Sequence, residues 1–96
     1  MALSWFWRWW PPFHRRPELH VVMFTRQGCH LCETAWQRLK ARQRIHGFHL
    51  ELVDVDSDPE LSASYGNEVP VVAVDGRVRF RGGVNEVLLD RLLRAR

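Results

Sequence analysis

The chain has 96 residues, which is room for one domain with a single modest hydrophobic core. Its net charge of +3 arises entirely from Arg8, Arg15 and Arg16, because the rest of the chain carries equal numbers of acidic and basic residues. A neutral domain gives little electrostatic support to a role in nucleic-acid binding, so we exclude nucleic acid as a partner. Two cysteines cannot form a disulfide framework, and their C-x-x-C spacing indicates redox or metal chemistry in a reducing, cytoplasmic compartment.

Residues 1–17 form a tryptophan- and arginine-rich N-terminal arm that differs in composition from the predicted domain at 18–96. The arm holds four of the five tryptophans. Its apolar stretch is too short to span a bilayer, which needs ~20 residues, and Pro11-Pro12 would stop a helix. We predict a flexible arm or one folded onto an apolar patch, with contact to a membrane surface as the less favoured alternative.

The first half of the domain is predicted to form a strand, a helix and a second strand. Strand formers occupy 19–25, and a helix begins at the cysteines and runs to His46, where Gly47 ends it. A second strand is predicted at 48–55. Helical spacing predicts that this helix buries Cys32, Ala35, Trp36 and Leu39. Four cationic side chains are predicted to form a solvated face of the same helix: Arg38, Lys40, Arg42 and Arg44.

The second half is predicted to form a short helix, a β-hairpin and a last helix. A short helix is predicted at 60–65, capped by Ser57 or Asp58 and followed by Gly66. Strands at 68–74 and 77–81 flank a two-residue turn, Asp75-Gly76. In the last strand, alternation predicts that Val78 and Phe80 face inward and three arginines face outward. The last helix begins near Asn85, and its predicted buried residues are Leu88, Leu89, Leu92 and Leu93.

These elements predict an α/β fold of the order β-α-β-α-β-β-α, with a four-stranded mixed sheet and helices on both faces. The first two strands should be parallel, since a helix connects them. The cysteines then lie where a strand turns into a helix. A thiol at a helix N-terminus meets the positive end of the helix dipole, which favours the reactive thiolate.

Several motifs together resemble the glutaredoxin-like family of the thioredoxin fold. They are the strand–C-x-x-C–helix opening, Val-Asp-Val-Asp-Ser-Asp-Pro-Glu at 53–60, Tyr65-Gly66, Val69-Pro70-Val71 and Gly82-Gly83. The resemblance spans about 19–95. It implies a thiol–disulfide oxidoreductase that is monomeric, acts on protein or small-molecule disulfides, and is reduced by glutathione or a dedicated reductase. It implies no tightly bound cofactor.

The resemblance also implies roles for single residues. Cys29 would be the nucleophile and Cys32 the resolving cysteine. Pro70 would be a cis-proline opposite the disulfide, and the backbone of Val69 would pair with a bound thiol peptide. Three further positions would contact the substrate: Arg26, Gly82 and Gly83.

This chain departs from the usual pattern of that family at three places. His30 and Leu31 stand between the cysteines instead of proline and an aromatic residue, and Val84-Asn85-Glu86 follow the two glycines. Glu68 stands where threonine is usual, and its charge would oppose an anionic tripeptide. We therefore predict weak turnover with glutathione. Two alternatives stay open: a metal or iron–sulfur module that uses the cysteines, and a domain that binds without catalysis.

Overall fold

The structure is a computed structural model that describes residues 19–95. It contains four strands and three α-helices, which are in chain order β1 His20–Thr25, α1 His30–His46, β2 His49–Asp54, α2 Pro59–Tyr65, β3 Val71–Val74, β4 Arg77–Arg81 and α3 Glu86–Arg94. A 3₁₀ turn, Val55–Ser57, joins β2 to α2. No helix in this part of the chain is long and apolar enough to cross a bilayer. The predictions for the arm at 1–17 lie outside the described residues.

The four strands form one mixed sheet in the order β2-β1-β3-β4. Strands β1 and β2 are parallel, with His20 opposite His49 and Thr25 opposite Asp54. Strand β3 runs antiparallel to β1, and β4 runs antiparallel to β3 at the edge of the sheet. The predicted α/β fold, its element order and the parallel first pair are confirmed.

The sheet separates two apolar cores. On one face, α1 and α3 pack through Leu39 and Leu89 against Val21 and Met23 of β1. On the other face, the short helix α2 packs against the alternate residues of the sheet. That second core consists of Val22, Phe24, Val53, Val55, Leu61, Val71 and Ala73. Helices therefore cover both faces, as predicted, although α2 covers much less of its face than α1 and α3 cover of theirs.

The predicted helix ends and turn are confirmed. Gly47 is left-handed, with φ of 75°, and its N–H donates to Gln43 O at 2.8 Å. Asp58 caps α2 by accepting from the Glu60 amide, and Asn85 caps α3 by accepting from the Leu88 amide. Asp75 and its neighbouring glycine both have positive φ, which is the type I′ geometry expected of an Asp-Gly hairpin.

The prediction for β4 was wrong in one respect. A β-bulge at Arg79 interrupts the pairing, so that Phe80 lies opposite Val72 but Val78 lies opposite Ala73. Phe80 joins the core beneath α1 and α3, whereas Val78 packs against the core beneath α2. The two apolar side chains therefore lie on opposite faces of the sheet.

Two predictions about the helices also need correction. Leu88 lies on the outer side of α3 with 49% of its surface exposed, and Leu89 and Leu93 are the buried pair. The cationic face of α1 is not simply solvated, because Arg42 bonds both carboxylate oxygens of Asp90 on α3. These bonds raise the pKa of Arg42 and lower that of Asp90. The cationic side of α1 is thus paired with acidic side chains of α3, which lies more than forty residues further along the chain.

Candidate active site

Cys29 and Cys32 form a disulfide at the N-terminus of α1, with 5.2 Å between their Cα atoms. The chain reaches this point directly from β1 through a short turn in which Gly28 has φ of 81°. Cys29 is the N-cap residue of the 17-residue helix, and Cys32 lies in its first turn. The fold thus holds both sulfurs at a helix end fixed by a buried strand.

The two cysteines differ in exposure and in hydrogen bonding. Cys32 is 2% exposed and belongs to the core beneath α1, whereas Cys29 is only partly buried. The Cys32 amide donates a hydrogen bond to Cys29 Sγ at 3.1 Å. A sulfur that accepts an amide hydrogen bond at a helix N-terminus is stabilised as the anion. Cys29 is therefore the better placed of the two to act as an exposed thiolate.

The predicted cis-proline is present. The Val69–Pro70 peptide bond is cis, and Pro70 is buried. The Gly82 amide donates to both Glu68 O and Pro70 O at 2.9 Å, which brings the glycine pair beside this turn. Gly82 and Gly83 have φ of 78° and 156°, values that favour glycine. Substrate contacts of these residues stay a prediction.

Glu68 is paired within the fold. Its carboxylate accepts a hydrogen bond from the Arg81 guanidinium, and both side chains are about half exposed. Arg81 also lies over the Tyr65 ring, 5.7 Å from its centroid. The negative charge that departs from the usual family pattern is therefore offset by a cation on β4, next to Gly82.

Arg26 makes four hydrogen bonds within the protein. It donates to both carboxylate oxygens of Asp56, at 2.9 and 3.0 Å, and to Ser62 Oγ and Gly66 O at 3.0 Å. These bonds raise the pKa of Arg26 and lower that of Asp56. Because a guanidinium has five N–H groups, little donor capacity is left for a ligand carboxylate. The structure gives Arg26 the role of joining the loop before Cys29 to α2, and a contact with substrate stays a prediction.

A groove of about 500 Å³ opens beside the cysteines, between the start of α1 and β2. Its floor is apolar, with Leu52 48% exposed in it, and its rim carries two carboxylates. The groove is lined by Met23, Thr25, Arg26, Gln27, Gly28, Cys29, Cys32, Glu33, Trp36, Leu52 and Asp54. The residues around the cis-proline do not line it, so the groove and the cis-proline turn are separate surfaces.

The sequence interpretation missed most of this groove. Trp36 was predicted as a packing residue, and it does pack against the core, but it also lines the groove. Its position one turn after Cys32 on the same helix face is a signal that could have found it. Leu52 could not be found in this way, because its place depends on the register of β2 against Met23 of β1.

His30, between the cysteines, does not turn toward them. Its side chain is 97% exposed, and Nδ1 lies 3.9 Å from Glu33 Oε1. A ligand set built from His30 and the two cysteines would need a rearrangement of this turn. The metal alternative at the cysteines therefore stays a hypothesis that no contact of His30 favours.

The chain also matches a known protein family. The profile of the glutaredoxin-like domain family (DUF836) matches residues 20–94, which is nearly all of the described chain. The chain belongs to this family. One relative, the uncharacterized protein Rv0508 of Mycobacterium tuberculosis, is 36% identical over 76 residues, and the alignment covers 74% of this chain and 76% of the relative.

Solved structures give the same fold for this glutaredoxin-like domain. The protein Ne2328 of Nitrosomonas europaea superimposes with a TM-score of 0.69 at 23% identity, covering 83% of this chain and 96% of its own. The protein XcR50 of X. campestris superimposes with a TM-score of 0.65 at 28% identity, covering 79% of this chain and 97% of its own. A thioredoxin of Fasciola hepatica superimposes with a TM-score of 0.59 at 29% identity, covering 81% of this chain and 80% of its own. The predicted family and thioredoxin-like fold are confirmed.

Proposed function

We propose that this glutaredoxin-like domain is a thiol–disulfide oxidoreductase that uses Cys29 as nucleophile and Cys32 as resolving cysteine. The observation that carries the proposal is the Cys29–Cys32 disulfide at the N-terminus of α1, with the outer sulfur accepting an amide hydrogen bond. Membership in the glutaredoxin-like family supports it. A reducing, cytoplasmic environment would keep the pair available as a dithiol.

The reaction conserves atoms and electrons in two exchanges. The Cys29 thiolate attacks one sulfur of a substrate disulfide, which forms a mixed disulfide and releases the first substrate thiolate. The Cys32 thiolate then attacks Cys29 Sγ, which forms the internal disulfide and releases the second thiolate. Two electrons pass from the dithiol to the substrate, and an external thiol or a reductase restores the dithiol. Burial of Cys32 protects it from direct attack and leaves it within reach of Cys29.

The groove supports a particular class of substrate. Its apolar floor suits a hydrophobic side chain beside the substrate disulfide, and exposed apolar surface in a groove is typical of binding sites. The rim carries Glu33 and Asp54, whereas Arg26 is already paired with Asp56. A carboxylate rim disfavours an anionic tripeptide such as glutathione and favours a neutral or cationic polypeptide. We therefore propose a protein disulfide as the substrate and a protein reductant as the electron source.

A turnover assay tests this proposal. The full chain is supplied with one disulfide peptide and either glutathione with its reductase or thioredoxin with its reductase. We expect the protein-based system to give the faster turnover, and we expect Cys29→Ser to abolish it. Alkylation and intact mass measurement before and after dithiothreitol should show two thiols appearing together. A pair that cannot be cycled in this way would refute the redox function, whereas efficient turnover with glutathione would refute only the proposed electron source.

A further inference from the structure

Three metal-ligating side chains meet at the start of the two parallel strands. His20 opens β1, His49 opens β2, and the two residues are direct register partners. Glu51 lies two residues further along β2 and therefore shares the sheet face of His49. One ligand atom from each of the three lies within 4.8 Å of the other two. By strand alternation they share the sheet face of Val22, Phe24 and Val53, which belong to the core beneath α2.

This cluster is remote from the cysteines. Cys29 follows the C-terminal end of β1, whereas His20 is at its N-terminal end. At ~3.3 Å per residue, the six-residue strand separates His20 from Thr25 by about 16 Å. A ligand bound at the histidines would therefore not contact the cysteines.

Two of the three ligand atoms already have the spacing that a metal ion needs. His20 Nε2 and Glu51 Oε1 are 3.4 Å apart. Two ligands of a tetrahedral zinc ion, each about 2.0–2.1 Å from the metal, lie roughly 3.3 Å from each other. The His49 ring stacks on His20 with 4.7 Å between centroids, and it is exposed. One ring nitrogen of His49 lies within 4.8 Å of both of these atoms, so a bound ion would require that nitrogen to move closer to them.

Contacts within the fold hold His20 in place. The backbone of His20 is fixed by the turn after β3, because its N–H donates to Asp75 Oδ1 at 2.9 Å and its carbonyl accepts from the Asp75 amide. The competing explanation needs no metal: His20 and Glu51 form an ion pair, and His49 merely stacks on it.

We propose that His20, His49 and Glu51 form a binding site for a divalent first-row metal ion, with Zn²⁺ as the best-matched ion. Two imidazoles and one carboxylate are the protein ligands of one type of three-ligand zinc site, which leaves a fourth position open to water or another ligand. The bound ion would join the first residues of β1 and β2. This proposal adds to the redox function and does not rest on it.

Zinc titration of the full chain in its oxidised form tests the site, because cysteines held in a disulfide are not available as ligands. Calorimetry should show one equivalent bound by the unmodified protein. We expect His49→Ala and Glu51→Gln each to weaken binding by at least ~10-fold, since even loss of a group that only orients a ligand costs 10–100-fold. His46→Ala, which removes an exposed histidine from the end of α1, is the matched control and should bind zinc as the unmodified protein does.

A second measurement separates the metal site from the simple ion pair. Zinc should shift the side-chain NMR signals of His20 and His49 together, and it should leave those of His46 in place. Equal affinity in His49→Ala and the unmodified protein would overturn the proposal. So would a loss shared by His46→Ala, or titration to a tenfold excess of zinc without heat or a shift at His49. His49→Ala is an exposed change, and its thermal unfolding should match the unmodified protein when no zinc is added.

Discussion

The Cys32 amide donates its hydrogen bond to Cys29 Sγ at 3.1 Å. This contact uses one of the N–H groups that a helix leaves unpaired at its first turn, so the cysteine acts as the helix cap. Among the described residues, the neighbouring cation Arg26 is committed to Asp56. A Cys29 thiolate would therefore be stabilised by the helix end, without help from Arg26.

We predict that the Glu68–Arg81 pair influences how well the surface beside the cis-proline accepts glutathione. The pair is close to neutral, so removing one partner changes the charge beside Gly82. Glu68→Thr should raise glutathione-dependent turnover, and Arg81→Ala should lower it. Two unit charges ~4 Å apart interact by about 1 kcal/mol in water. Each substitution should therefore change kcat/KM for glutathione roughly fivefold. The measurement is kcat/KM for glutathione in the coupled reductase assay.

Arg77→Ala is the matched control for these variants. It removes an exposed arginine from the same strand, β4, at the end away from Gly82. Its kcat/KM should equal that of the unmodified protein. If Glu68→Thr and Arg81→Ala changed turnover in the same direction, the charge explanation would be wrong.

The Arg26 side chain packs against Gly66, where a larger residue would leave too little room. A Cβ at this position would lie 2.7 Å from Arg26 Nη2 and closer still to Ser62 O. We expect Gly66→Ala to destabilise the protein by about 1–3 kcal/mol, as overpacking does, and to lower Tm by at least ~4 °C. Thermal unfolding followed by circular dichroism checks this. Ser64→Ala, an exposed change on α2, should leave Tm unchanged, and an unchanged Tm in Gly66→Ala would contradict the prediction.

The Arg42–Asp90 pair predicts a specific loss of stability in acid. Arg42 lowers the pKa of Asp90 in the folded protein, so the unfolded chain binds a proton more readily. The contribution of the pair is complete above the unfolded carboxyl pKa of about 3.9, and it is lost as pH falls through the lower folded value. Tm measured from pH 7 to pH 2 should therefore fall less steeply below about pH 4 in Asp90→Asn than in the unmodified protein. Glu60→Gln is the control, and identical curves for Asp90→Asn and the unmodified protein would contradict the prediction.

Local signals in the sequence predicted the fold well. The caps at Asp58 and Asn85 and the Asp75-Gly76 turn depend on residues within a few positions, which is why they could be read directly. The bulge at Arg79 could not, because a single inserted residue in β4 leaves the alternation of the sequence unchanged while it turns Val78 to the other face.

The site was predictable only where a family motif or local spacing marked it. The cysteine pair and the cis-proline carry such motifs. The ion pairs of Arg26 with Asp56 and of Arg42 with Asp90 join residues that are 30 and 48 positions apart, and charge patterns along one helix say nothing about such partners. The three possible metal ligands meet only because β1 and β2 pair in one particular register.

Trapping of a mixed disulfide tests the proposed roles of Cys29 and Cys32 most directly. Reduced Cys32→Ser and Cys29→Ser proteins are each incubated with one disulfide peptide, and the intact mass is measured over time. We predict that Cys32→Ser gains the mass of one half of the peptide, attached at Cys29, because the exchange starts but cannot be resolved. Cys29→Ser should stay unmodified, since Cys32 is 2% exposed. An adduct that forms on Cys29→Ser and not on Cys32→Ser would contradict the assignment.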